Sequence, residues 1–299
     1  MTQFLDCRLW PVGGELAKTF AVYQTPPPAQ DPGDPLQALK KYIQGQHVLI
    51  ATHGFNVNRA NGIADLSNWE TLLQPPQSSA FVGLLWPGDS VWLHGLDYPG
   101  EARVADDAGL LLAKFLDANL QGAASVSLAS HSLGARVMLS AIKNTSTRIS
   151  RLVLMAAAID DNCLNAEFQA AAAKVGAISV LASKKDTVLA DLFPLGNFFA
   201  GLLDQGHPWH HTALGRSGPA SPTPVNFRAP FQLPDGWGFL HSSYLQIADP
   251  PPPPAQFPLP TDVPGSSASI PANELDATGA PILGWTAEFS SAFASSRLR

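Results

Sequence analysis

The sequence predicts an α/β fold: a mostly parallel central sheet with helices on both faces and an antiparallel edge at the N-terminus. Three observations lead there. Short apolar runs alternate with segments of helical period through the middle of the chain, as expected of a sheet covered by crossover helices. Proline is scarce over the same stretch: residues 36–204 hold 5 of the 27 prolines, whereas residues 205–299 hold 16. Proline removes a backbone donor and fixes φ, so regular structure belongs where it is rare. Hydrophobic residues make up 45% of the 299, enough for a sizeable core and too many for a disordered chain.

Taken in order, residues 4–9 and 20–24 read as two antiparallel strands separated by a turn at 11–14 and followed by a proline loop at 26–35. HVLIAT (47–52) is a β-branched apolar run ending at His53-Gly54, as a buried parallel strand would. Residues 81–86 form the next strand, stopped by Pro87-Gly88-Asp89. Val104, Ala108, Leu111, Leu112, Phe115 and Leu116 recur at helical spacing within residues 101–120. Strands at 125–129, 151–157 and 177–182 then alternate with helices at 134–143 and 165–174. Residues 187–240, rich in aromatics, Gly and Pro, break the alternation and read as a cap over a site or an excursion around the sheet edge. Five consecutive prolines (250–254) open a Pro/Ser-rich C-terminal extension over 250–299, so the main domain is expected to span 1–249.

Composition narrows the function. A net charge of -6 with 14% charged residues lacks the basic stripe of a nucleic-acid binder. Two cysteines, Cys7 and Cys163, cannot build a disulfide framework, and buried free thiols are expected. The N-terminus carries no basic stretch leading into an apolar run, and no stretch approaches the length that spans a bilayer. A cytoplasmic protein without a membrane span is the expectation.

The chemistry concentrates in VSLASHSLGAR (126–136), where a strand runs into Ser130-His131-Ser132-Leu133-Gly134 and a helix follows at once. A strand–serine–helix elbow pushes the Ser132 hydroxyl out of the fold, and the helix N-terminus offers a backbone N–H to a developing oxyanion. The elbow pattern is Gly-x-Ser-x-Gly, and here Ser130 replaces the first glycine. The competing reading makes Ser132 an ordinary helix N-cap. Upstream, His53-Gly54-Phe55-Asn56 lies where an oxyanion loop would, with the N–H groups of Phe55 and Leu133 as donors and His53 as a brace behind them.

A serine hydroxyl needs a base, and the base an orienting acid. Asp186, in the polar loop after the strand at 177–182, is the first candidate acid; Asp160 and Asp161, after the preceding strand, compete with it. Among His207, His210, His211 and His241, the last is the candidate base, because it heads a short helix late in the chain. The His207–His211 cluster could bind a metal, but His210 and His211 are adjacent and could not both chelate from one helix face, so no metal site is expected there.

The chain resembles the α/β-hydrolase superfamily, and within it a bacterial branch marked by HG(Y/F)N after the first core strand, a Trp-Pro strand end and HS(L/M)GAR at the elbow. Here these are His53-Gly54-Phe55-Asn56, Trp86-Pro87-Gly88-Asp89 and His131-Ser132-Leu133-Gly134-Ala135-Arg136, with Ser183–Asp186 and His241–Tyr244 matching the later motifs. The resemblance covers about residues 45–247 and implies an α/β-hydrolase fold. It also implies acyl transfer to Ser132, with His241 as base, Asp186 as its partner, and neither metal nor organic cofactor. Serine at the elbow argues against relatives that use Asp or Cys there, which cleave carbon–halogen bonds, epoxides or dienelactones. Small-molecule carboxylic esters of short to medium acyl chain are the expected substrates, in a pocket lined by His53, His131, Trp86 and Trp92. The alternatives are a lipase for longer chains, an acyltransferase or peptidase using the same triad, and a binding module without catalysis.

Overall fold

The computed structural model describes residues 1–29, 33–73, 75, 77–89, 98–191, 212–228, 232–233, 235 and 239–244. Its centre is an eight-stranded sheet in the order β2-β1-β4-β3-β5-β6-β7-β8. β1 (Thr2–Arg8) and β2 (Leu16–Thr25) pair antiparallel at one edge. β3 (His47–Thr52), β4 (Ser79–Leu85), β5 (Ser125–His131), β6 (Ile149–Met155), β7 (Val175–Leu181) and β8 (Phe227–Arg228) run parallel to β1. Every residue of β4 is buried, and so are residues 48–52 of β3. That explains why these strands are apolar throughout rather than alternating.

Helices cover both faces. α2 (Arg59–Leu73) packs on β1, β3 and β4, while α3 (Tyr98–Asn119) packs on α4 (Gly134–Asn144), which in turn meets α5 (Gln169–Lys174). α1 (Pro35–Ile43) starts at a proline in the first turn, with the Asp34 side chain accepting from the Leu36 N–H. Proline there forfeits no helical hydrogen bond, and the carboxylate takes one of the orphan donors. Neither α1 nor α2 is anticipated by the sequence pattern, and α5 is shorter than the expected helix because residues 161–168 form turns.

Of the segment 187–240, the described part at 212–228 follows the sheet edge. Ala213 bridges to Asp160, and Phe227 and Arg228 pair with Ile178 and Ser179 of β7. Residues 192–211, 229–231, 234 and 236–238 of that segment, the proline run and the extension lie outside the described residues.

Register places the site. Leu5, Leu84, Thr52, Ser130, Leu154 and Val180 form one row across six strands. The chain leaves the carboxyl end of that row at Arg8, Trp86, His53, Ser132, Ala156 and Ser183, so these loops meet on one rim. Ligands of open α/β sheets bind there, where the strand order reverses around β3.

Candidate active site

Ser132 sits between β5 and α4 with φ 52°, in the left-handed region that a non-glycine residue enters at a cost of about 1–2 kcal/mol. Its N–H donates to the Met155 carbonyl (3.0 Å) and its carbonyl accepts from Ala135 N–H (3.1 Å), which hold the strained turn in place. The N-cap position belongs to Leu133, with no side-chain cap bond. The Ser132 hydroxyl is therefore not spent on the helix terminus.

Close approach explains two glycines. A Cβ on Gly134 would lie 2.4 Å from the His53 carbonyl oxygen and 2.7 Å from Thr52 Cγ2, and one on Gly54 would lie 2.7 Å from Ser132 Cβ. Ser130, in place of the elbow's first glycine, fits with no exposed surface, but its hydroxyl has no hydrogen-bond partner among the described residues.

His241 heads a 3-10 turn (His241–Tyr244). Its Nε2 is 2.9 Å from Ser132 Oγ, and its Nδ1 is 2.8 Å from Asp186 Oδ2. With Nδ1–H donating to the carboxylate, Nε2 is left to accept from the serine hydroxyl. Asp186 is fully buried, and its second oxygen accepts from the Leu189 N–H at 2.9 Å. Ser183 Oγ donates to the Phe239 carbonyl (2.6 Å), tying the acid's loop to the base's loop. Arg216 donates to the carbonyls of Lys184 (2.7 Å) and Asp186 (2.8 Å). Asp160 and Asp161 are engaged elsewhere. Asp161 accepts from the Thr212 hydroxyl at 2.8 Å, its N–H donates to the Thr212 carbonyl, and Asp160 bridges Ala213.

The loop from β3 to α2 passes over Ser132. Neither the Phe55 nor the Leu133 N–H, the two expected oxyanion donors, donates a hydrogen bond within the described residues. Trp86, expected on the pocket wall, is instead wholly buried behind this loop, and so is His53, expected both on that wall and as a brace behind the loop. Burial of both groups follows from their bonding. The Trp86 indole donates to the His53 carbonyl (3.0 Å), the Trp86 N–H donates to His53 Nε2 (3.3 Å), and the rings stack at 5.9 Å. An accepting Nε2 places the His53 proton on Nδ1, which donates to the Gly54 carbonyl at 2.9 Å. Burial pushes the pKa of His53 down to about 4, so the ring is neutral at pH 7.

His131 does not simply line a pocket either: its Nε2–H donates to the His241 carbonyl at 2.7 Å, and the two rings lie 4.9 Å apart. Burial first, then the neighbouring His241 charge, lowers its pKa to about 3. Trp92, His207, His210 and His211 lie outside the described residues. Among the described residues no group of three or more His, Cys, Asp or Glu could hold a metal ion. No described helix is long and apolar enough to cross a membrane, and Cys7 and Cys163 are buried free thiols.

Sequence reasoning passes over Arg8 and Arg216, and names Asp89 only as part of a strand end. The signal for Arg8 was present: a charged residue inside the run FLDCRL must be paired if it is buried.

No curated protein matches the chain. Among solved structures it is similar to an extracellular alpha/beta-hydrolase from a Paenibacillus species at 14% identity and a TM-score of 0.26, over 37% of this chain and 40% of that one. It is similar to an uncharacterized protein from Bacillus cereus at 19% identity and a TM-score of 0.36, over 60% and 53% of the two chains. A hyperthermophilic esterase from the archaeon Pyrobaculum calidifontis follows at 15% identity and a TM-score of 0.35, over 67% and 70%. The alignments with the first two thus span about half or less of those proteins' own length. Residues 35–191, just over half the chain, match the family described as "Alpha/beta hydrolase of unknown function (DUF900)", and the chain belongs to that family.

Proposed function

We propose that the protein is a serine hydrolase that cleaves carboxylic esters, with Ser132 as nucleophile, His241 as general base and then acid, and Asp186 as its partner. The observation that carries the reading is the unbroken relay from Ser132 Oγ to His241 (2.9 Å) to buried Asp186 (2.8 Å), at a serine held in a left-handed turn. His241 Nε2 removes the hydroxyl proton as Oγ attacks the ester carbonyl. Asp186 keeps the proton on Nδ1 and stabilises the imidazolium that forms. The carbonyl oxygen gains its negative charge beneath the Phe55 and Leu133 N–H groups, where fixed donors are worth most. Collapse expels the alcohol, which takes the proton from Nε2, and water repeats the sequence on the acyl-enzyme.

The same reading assigns residues 1–249 to the hydrolase domain and 250–299 to an extension, and it favours short to medium acyl chains. The test is hydrolysis of p-nitrophenyl esters from two to sixteen carbons, wild type beside Ser132→Ala. The expected result is Ser132-dependent turnover that peaks at short or medium chains. A peak at the long end would replace the esterase with a lipase. Activity surviving in Ser132→Ala would remove the nucleophile from the account.

A further inference from the structure

Trp86-Pro87-Gly88-Asp89 and the buried arginine of β1 have no part in the triad, yet both converge on the loop that carries the Phe55 N–H. Arg8 has a fully buried side chain. One guanidinium nitrogen donates to the Val57 carbonyl (3.0 Å) and the Trp86 carbonyl (2.8 Å), and the other pairs with Asp89. Weaker contacts at 3.4 Å reach the carbonyls of Trp10 and Pro11 in the β1–β2 hairpin. From the same strand end, the Gly88 carbonyl accepts from the Asn56 N–H (2.6 Å), and the Trp86 indole holds the His53 carbonyl. Asn56 has a φ of 56°, so the backbone turns sharply just after Phe55.

The loop is therefore fastened before Phe55 at His53, and after it at Asn56 and Val57. Each fastening lies on Arg8 or on the segment 86–89. The Phe55 N–H is left without an acceptor among the described residues. From this arrangement we infer that Arg8, neutralised by Asp89, is a positioning residue that aims the Phe55 N–H at the developing oxyanion. The inference rests on the serine-hydrolase reading. Only a guanidinium can serve two carbonyls and a carboxylate at once from a planar fork. A lysine in its place keeps the charge but cannot span all three.

The test uses the full-length protein with Arg8→Lys, Arg8→Met and Asp89→Asn. It measures kcat and KM on a p-nitrophenyl ester across pH, the rate at which a fluorophosphonate labels Ser132, and the folded fraction by near-ultraviolet circular dichroism. A displaced oxyanion donor costs rate rather than binding. In Arg8→Lys, kcat and the labelling rate per folded molecule should fall about tenfold to a hundredfold, with KM within about twofold. The pH midpoint should stay where it is, because the His241–Asp186 pair is untouched. If Arg8→Met does not fold, Asp89→Asn decides, with kcat falling in the same direction. Rates per folded molecule equal to wild type, or a loss that resides in KM, would overturn the positioning role. A wild type that neither hydrolyses esters nor is labelled at Ser132 would overturn the serine-hydrolase reading itself, and the inference with it.

Discussion

Acidification from pH 7.5 to pH 5 should weaken this fold through His53, by an amount the structure allows to be worked out. The ring is wholly buried, and its pKa is pushed from 6.5 to about 4. Between those values the unfolded chain binds a proton that the folded chain refuses, so falling pH favours unfolding. The loss begins as pH drops through 6.5 and is complete below about 4. The full gap corresponds to about 3 kcal/mol. At pH 5 the unfolded histidine is almost fully protonated and the folded one about one-tenth, a loss of about 2 kcal/mol. His131, lowered by its own burial, adds in the same direction. The carboxyls of Asp65 and Glu70, raised by burial, act in the opposite sense. For that reason the comparison with a variant carries the test rather than the raw slope. Urea unfolding of wild type and His53→Gln at both pH values should show wild type losing about 2 kcal/mol more than the variant on acidification. Equal losses in the two proteins would refute the assignment of a neutral, buried His53.

Three further expectations follow from single contacts. Asp186→Asn should lower kcat by about 10³- to 10⁴-fold by disfavouring the Nδ1–H tautomer, whereas Asp160→Asn should leave kcat near wild type; steady-state kinetics of the two variants decide between the acids. Ser130→Ala removes a buried hydroxyl without a partner among the described residues and should raise the unfolding free energy by about 1 kcal/mol with kcat preserved; a lower urea midpoint would speak against it. Gly134→Ala puts a methyl 2.4 Å from a backbone oxygen and should cost about 1–3 kcal/mol. It should lower kcat as well as Tm, because the oxygen belongs to His53 at the base of the loop proposed to carry the Phe55 oxyanion donor.

Much of the centre of the fold was legible because parallel strands buried on both faces leave unbroken apolar runs. HVLIAT and the run before Trp86 are of this kind, and each ended within a residue or two of its expected bound. α2 was illegible for a specific reason. Gly62, a poor helix former, lies inside the helix, where a Cβ would meet Leu85 Cδ2 at 2.8 Å and His53 Cδ2 at 3.0 Å. The glycine serves close packing there rather than a break. At the site, Ser132, His241 and Asp186 could be ordered along the chain because the elbow and the strand ends are local patterns. Sequence ranked Asp186 first but left Asp160 and Asp161 as competitors, since all three follow strands; the loop path that brings His241 back decides which carboxylate it meets. Trp86 was expected to face substrate because the aromatics around it suit a pocket, and His53 either to line that pocket or to brace the loop. Their polar atoms instead find partners in each other, which draws both behind the loop.

The most direct test of the central claim is to trap the nucleophile. Wild type, Ser132→Ala and His241→Ala would be treated with a fluorophosphonate and the adduct mapped by peptide mass spectrometry. The account predicts a single modified peptide containing Ser132 in wild type, none in Ser132→Ala, and labelling slowed by orders of magnitude in His241→Ala. An adduct on another serine, or labelling indifferent to His241, would contradict it.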